Sequence, residues 1–231
     1  MRSLSSGYAA VVFGATGGIG AAVLSLLRTD PGCALAVGLS RADGLDLERE
    51  DRIAALAARL RRETAGVTLL FDATGALAID GAMPEKGLAA LDPVAMARQF
   101  AVNAIGPALL FKHFAPLIPR DRRALFATLS ARVGSIGDNR LGGWISYRAA
   151  KAALNQVVRT AAIEIARRHP HAVVAALHPG TVRTRLSDPF AGDRARLEPS
   201  DAARRLLGVL DGLEPARTGC FLAYDGGEIP W

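Results

Sequence analysis

The sequence predicts an α/β fold: a doubly wound parallel sheet of about seven strands with helices on both faces. Three observations predict it. Short, nearly continuous apolar runs of strand length alternate along the chain with amphipathic runs of helix length. The first apolar run passes directly into a glycine-rich turn and then a helix. No linker, repeat or low-complexity segment interrupts the 231 residues, so residues 1–231 read as a single domain with a sizeable core.

The elements follow in order. Tyr8 to Phe13 has the pattern of a strand buried on both faces. Gly14-Ala15-Thr16-Gly17-Gly18-Ile19-Gly20 comes next, then a helix through Leu24, Leu26 and Leu27. Glycines placed between a buried strand and a helix let backbone N–H groups approach a pyrophosphate, whose charge the helix N-terminus favours. Ala34 to Leu39 is the second strand and ends in Ser40-Arg41, where an adenosine ribose lies in dinucleotide folds. An acidic residue there would accept the 2′-hydroxyl of NAD. Ser40 and the Arg41 guanidinium suit a 2′-phosphate instead, so NADP(H) is expected over NAD(H).

Gly44 to Leu47 is expected as a shortened third strand, with Asp46 near the adenine amino group. An amphipathic helix spans about Glu48 to Thr64, and Val67 to Phe71 is a buried strand ending at Asp72-Ala73-Thr74-Gly75. Pro93 opens a long helix through Asn103 and Gly106-Pro107. Ala124 to Leu129 is a strand followed by Ser130 and a loop, Gly134 to Gly143. The next helix begins near Tyr147 and runs to about Arg168, and Val173 to Leu177 is a strand closing on His178-Pro179-Gly180. Arg183 to Pro199 is polar, contains Pro and Gly, and reads as a mobile lid. Ser200 is expected to cap a helix reaching Leu213, before a last strand from Cys220 to Tyr224, a Gly-Gly turn and Trp231.

The formal charge of +6 raises the question of an anionic partner. The arginines are dispersed, acidic residues are interleaved, and no stacking aromatics accompany them, which argues against nucleic acid. Two cysteines without CxxC spacing and four unclustered histidines point to no metal and to a reducing compartment. No targeting segment and no bilayer-length apolar run is apparent, so a cytoplasmic protein is expected.

Tyr147 and Lys151 stand four residues apart, and in a helix such positions share a face. An ammonium beside a phenol makes it a better proton donor and acceptor. By itself the pair is equally a packed Tyr beside a solvated Lys. The glycine turn, the Gly75 turn, Asn103 in mid-helix, Ser130, the Tyr147–Lys151 pair and Pro179-Gly180-Thr181-Val182-Arg183-Thr184 occur in one order, however. Over essentially its whole length the chain thereby resembles the classical short-chain dehydrogenase/reductases. Ser130 to Ile136, Gly142-Gly143-Trp144 and the ending Asp225 to Trp231 resemble more particularly the C-factor/sniffer-type carbonyl reductases.

The resemblance implies NADPH-dependent reduction of a small carbonyl compound, or the reverse oxidation. Tyr147 would give the proton, and Lys151 would hold the nicotinamide ribose and acidify Tyr147. Asn103 would kink its helix and hold a water through its backbone carbonyl, and Ser130 would hydrogen-bond the substrate oxygen. Gly14, Thr16, Gly17, Gly18, Ile19, Gly20, Ser40, Arg41, Asp46, Ala73, Thr74, Gly75, Pro179, Gly180, Val182 and Thr184 would contact the cofactor. Three departures accompany it. The family's NNAG turn reads Asp72-Ala73-Thr74-Gly75, leaving a carboxylate without an assigned role, and the link from the second strand to the next is short. The position three residues before Gly134 is Ala131, so three alternatives stand: Ser130, which is favoured, Ser135, or no catalytic serine; strand alternation would turn Ser130 away unless a bulge intervened. The alternative reading is a signalling or sensor protein that binds NADP(H). Members of the family commonly pair into homodimers or homotetramers through the Asn103 and Tyr147 helices, where Phe111, Phe114, Val157 and Val158 are expected to exceed what the sheet needs.

Overall fold

A computed structural model of the chain describes residues 1–190 and 195–231. Its strands are β1 (Tyr8–Phe13), β2 (Cys33–Leu39), β3 (Leu69–Asp72), β4 (Ala124–Leu129), β5 (Ala172–His178) and β6 (Cys220–Ala223). They form one parallel sheet in the order β2-β1-β3-β4-β5-β6. From β1 the chain winds outward to β2 and then returns to β3 on the other side. That reversal opens a crevice at the carboxyl ends of β1 and β3.

Strand alternation divides the core into two layers. Val11, Phe13, Leu70, Phe126 and Val174 face one side, packed with Ile53 of α2 (Glu50–Glu63), Leu110 of α4 (Gly106–Phe114) and Leu154 of α5 (Ile145–Arg168). Val12, Leu69, Phe71, Leu125 and Val173 face the other, packed with Val23 of α1 (Gly18–Thr29) and Leu206 of α6 (Pro199–Asp211). Each large apolar side chain buried this way contributes about 1.5–3 kcal/mol. Covered on both faces, the central strands read as unbroken apolar runs.

Several expectations need correction. The sheet has six strands, because no strand forms over Gly44 to Leu47. A short turn at Arg41–Asp43 ends in Gly44 at φ +88°, and α2 begins at Glu50, which leaves no length for a strand and its return. β2 is therefore an edge strand with an exposed Leu35. The helix expected to be capped by Ser200 has its cap two residues earlier. Pro199 takes its first position and Glu198 the cap, without a side-chain bond.

The long helix is broken into α3 (Pro93–Phe100), a π-turn over Ala101–Ile105, and α4. Its full stretch, Pro93–Leu117, is by length and composition apolar enough to cross a bilayer, contrary to expectation. Core packing accounts for that character, since Leu110, Phe111, Phe114 and Leu117 are all buried against the sheet and its helices. Phe111, Phe114 and Val158 thus serve the core, and of the four residues expected on an outer face only Val157 stays partly exposed.

Candidate active site

The crevice at the switch point is a cavity of about 760 Å³. Thr16, Gly17, Gly18, Ile19 and Gly20 form one wall, and Ala73, Thr74 and Gly75 a second. Pro179, Gly180, Val182 and Thr184 form a third, Arg41 stands at the edge, and Ser130, Tyr147 and Lys151 lie at the inner end. Gly14 lies beneath the cavity. Its φ is +73°, and a Cβ there would meet the Ala73 carbonyl oxygen at 2.9 Å. A Cβ on Gly20 would come within 2.2 Å of the Gly14 carbonyl oxygen, so only glycine lets α1 approach the turn. No side chain caps α1, and its first turn holds no acidic residue. Its leading N–H groups therefore point unsatisfied toward the crevice, a setting for phosphate. The size and backbone lining of the cavity fit a dinucleotide.

Like Gly14, two further expected cofactor contacts, Ser40 and Asp46, do not line the cavity. Ser40 is buried, and its N–H and hydroxyl both donate to Asp43 Oδ2, at 2.9 and 2.7 Å. That carboxylate closes the Arg41–Asp43 turn, and Arg41 has no ion-pair partner among the described residues. Asp46 is exposed, accepts from the Glu48 N–H at 3.0 Å, and does not line the cavity. Asn103 is fully buried beside the crevice. Its Nδ2 donates to the Ala76 carbonyl (2.8 Å) and Gln99 Oε1 (2.7 Å), and its Oδ1 accepts from the Ala76 N–H (3.1 Å). It lies inside the π-turn, the kind of interruption that frees main-chain groups at functional sites.

Tyr147, Lys151 and Asn155 form one stripe along α5, all buried. The start of that helix is anchored from outside it. Trp144 sits at φ +52° and donates its N–H to the Glu85 carbonyl at 2.5 Å, while the Glu85 carboxylate accepts from both the Ser146 N–H and its hydroxyl. Arg148 donates to the carbonyls of Gly142, Gly143 and Val133, tying the approach to the helix to the loop after β4. Tyr147 is thereby fixed on both flanks, although neither Glu85 nor Arg148 carries a recognisable pattern in the sequence.

The strand ends facing α5 carry polar groups. Thr128 and Ser130 follow Phe126 in the period of the strand, so Ser130 turns toward α5 without a bulge. Asn155 Nδ2 donates to the Gly134 carbonyl at 3.2 Å, which leaves Oδ1 to receive the Ser130 hydroxyl at 2.6 Å. Ser135 instead donates to the Pro230 carbonyl and accepts from the Asp138 N–H, tying its loop to the C-terminal strand extension. Asp72 also has a place. It accepts from the Thr74 N–H and hydroxyl (2.9 and 2.5 Å) and the Thr128 hydroxyl (2.7 Å), and so holds the turn of the second wall.

Burial dominates the electrostatics. It pushes the Asp72 carboxyl up, against three hydrogen bonds and the nearby Lys151. It pushes Lys151 down to about 8, opposed by the Asp72 charge. It also pushes the Tyr147 phenol up, the reverse of the acidification expected from Lys151. The ammonium is aimed at the Leu129 carbonyl (3.0 Å) and stands 5.9 Å from the Tyr147 ring centroid, with no hydrogen bond to the phenol.

Beyond Tyr147 a second cavity of about 360 Å³ opens, lined among others by Leu77, Ala131, Trp144, His178, Leu186 and Phe190. Trp144 packs edge-on against both Tyr147 and Phe190, at 6.5 and 5.4 Å between centroids. The segment after Pro179 borders this cavity. Its two ends are joined where Arg183 N–H donates to the Leu197 carbonyl and Leu197 N–H to the Thr181 carbonyl, both at 2.9 Å. Within the expected lid over Arg183 to Pro199, residues 191–194, including Arg194, lie outside the described residues.

A glycine-built phosphate crevice, with a buried tyrosine and lysine at its inner end, is the arrangement of an oxidoreductase that uses a dinucleotide. The family model described as Enoyl-(Acyl carrier protein) reductase matches residues 33–229, and the chain belongs to the short-chain dehydrogenase/reductase family. Within that family its similarity runs to the C-factor/sniffer-type branch. It is 33% identical over 196 residues to 1-hydroxy-2-glutathionyl-2-methyl-3-butene dehydrogenase of Rhodococcus sp. (strain AD45), covering 85% of this chain and 82% of that one. It is 37% identical to C-signal of Myxococcus xanthus over 141 residues, 61% of this chain and 81% of the relative. Carbonyl reductase Sniffer of D. melanogaster has the same fold, with a TM-score of 0.82 at 20% identity over 98% of this chain and 100% of that one. The NADPH-bound carbonyl reductase from chicken fatty liver gives 0.83 at 24% identity over 99% and 95%.

Proposed function

We propose that this chain reduces a small carbonyl compound with NADPH, or runs the reverse oxidation, with Tyr147 as the proton donor. The observation that carries the reading is that the Tyr147 phenol and Lys151 ammonium line the same cavity as the glycine turn. The phenol has no hydrogen-bond partner among the described residues and also borders the second cavity, so its proton is available to a substrate there. When bound, NADPH supplies the hydride. Tyr147 would give its proton to the carbonyl oxygen of the bound substrate, and the phenol would regain one from solvent.

Burial keeps Tyr147 protonated at neutral pH, as a donor for reduction must be. Asp72 favours the charged form of Lys151, which in this reading holds the ribose hydroxyls and the charge that develops on the phenol. Asn103 contributes through its backbone carbonyl, in the π-turn. Ser130 stays on the crevice wall, with lone pairs rather than a proton to offer. Arg41, without an ion-pair partner among the described residues and at the cavity edge, supports NADP(H) over NAD(H), as do the structural neighbours bound to NADPH or NADP. We place the protein in the cytoplasm as a homodimer or homotetramer, pairing across the outer cleft of α4 and α5 that Ala108, Val157 and Ala161 line.

The test is NADPH oxidation with a panel of aldehydes, ketones, diketones and quinones, by the wild type and Tyr147→Phe. Turnover that disappears in the variant while NADPH binding persists supports the reading. The relative named C-signal favours a second one, a protein that holds NADP(H) and acts through a partner. Tight NADPH binding with no compound turned over by the wild type would select it.

A further inference from the structure

A carbonyl oxygen has two lone pairs, and as hydride adds, its growing negative charge is best held by two donors. Tyr147 provides one. The positions nearest Tyr147 in the loop after β4 do not provide the other as a serine hydroxyl. Ala131, which lines both cavities, offers a methyl group. The Ser130 proton is committed to Asn155 and that of Ser135 to the Pro230 carbonyl. The guanidinium of Arg132 is engaged by Asp138, and that of Arg148 by three carbonyls.

His178 differs from all of these. It is the last residue of β5, on the α5 side of the sheet, and it lines both cavities. Its Nδ1 lies 3.4 Å from the Arg132 backbone nitrogen, which can only donate, so Nδ1 is the acceptor and the neutral ring carries its proton on Nε2. Nε2 has no partner among the described residues and is not among the buried unpaired atoms, which leaves it open to the cavity. Burial and the Arg132 charge push the ring down to about 4, against the opposing pull of Asp225, so this neutral form persists at working pH.

We infer that His178 Nε2–H is a catalytic hydrogen-bond donor to the substrate's carbonyl oxygen, acting beside the Tyr147 hydroxyl in place of a loop serine. The inference rests on the reductase reading above. No proton is transferred at His178. Hydride adds at carbon, the Tyr147 proton ends on oxygen, and the imidazole N–H stabilises the charge in between.

The experiment measures kcat, KM and NADPH affinity for His178→Leu, His178→Gln and His178→Leu combined with Ala131→Ser. The leucine variant is expected to lose about 10- to 100-fold in kcat with NADPH affinity within about 2-fold, because one oxyanion donor is removed. Glutamine, which returns an N–H, should recover most of the loss, and a hydroxyl at position 131 should recover part of it. Wild-type kcat in the leucine variant overturns the inference, and so does an equal loss in both single variants. Histidine ¹⁵N NMR of the wild type gives a reading independent of turnover: an Nε2–H tautomer at neutral pH supports the inference, and an Nδ1–H tautomer or a charged ring overturns it. A wild type that reduces nothing defeats the reductase reading itself, whereas an active enzyme indifferent to His178 defeats only this inference.

Discussion

The two ends of the crevice are built from different materials. At the glycine end the surface is backbone: Gly17, Gly18 and Gly20 on one side and Gly75 on the other, with Arg41 as the one charged side chain among the lining residues near the second strand. At the inner end it is side chains from α5, the ends of β4 and β5, and the segment after Pro179. A backbone site is specified by what cannot be there, a Cβ. A side-chain site is specified by what several distant elements bring together. The first should tolerate almost no substitution at its glycines, and the second should lose chemistry while keeping its cofactor.

The sharpest way to separate the two ends is Tyr147→Phe. Turnover should fall by about 1,000-fold or more, within the range for losing a general acid, while NADPH binds within about 2-fold of wild type. Fluorescence titration beside steady-state kinetics checks both halves, and a parallel loss of binding would merge the two ends into one unit. Next is Gly20→Ala, whose methyl would press on the Gly14 carbonyl. A cost of about 1–3 kcal/mol is expected, seen as a lower Tm and about 10- to 100-fold weaker NADPH binding. Arg41→Ala should weaken NADPH about 10-fold and leave NADH nearly unchanged, since a charge-assisted bond to phosphate is lost and solvent screens part of it.

Smaller effects test the inner end in detail. Ser130→Ala should lower kcat by less than about 10-fold, because its hydroxyl is spent on Asn155 and the loss falls on positioning. A collapse like that of the tyrosine variant would restore Ser130 as the direct donor to substrate. The gentlest probe is pH. Lys151 is charged below its pKa of about 8 and neutral above it, so kcat/KM for reduction should be full on the acid side and decline as pH rises through 8. Asp72→Asn removes the charge that holds the ammonium protonated and should move that decline to lower pH. A profile indifferent to Asp72 would reduce that carboxylate to its turn-holding bonds.

Much of the fold was legible because its cues are local. The runs at Tyr8 to Phe13 and Ala124 to Leu129 form strands with the expected bounds, and the helix carrying Tyr147 ends at Arg168 as its pattern indicates. The missing strand after Leu39 was not legible, since Leu45 and Leu47 are apolar for another reason: they pack toward the core and α4 from a turn. In the site, Tyr147 with Lys151 was visible as a four-residue spacing, and Asn155 continues the same spacing one turn further, a signal available but unused. His178 stands directly before the Pro179-Gly180 turn, yet a lone histidine at a strand end carries no pattern of its own.

The sequence by itself determined the strand–glycine–helix unit, the alternation of strands and helices, and the stacking of Tyr147 on Lys151. Each follows from forces acting over a few residues: steric freedom at glycine, side-chain period and helix rise. Only the tertiary structure decided which hydroxyl Asn155 receives, that Asp72 holds the Thr74 turn beside Lys151, that Glu85 anchors the head of α5, and which nitrogen of His178 receives the Arg132 N–H. Those outcomes depend on donors and acceptors from segments far apart in the chain, and hydrogen bonding selects among them only once the sheet has brought them within reach.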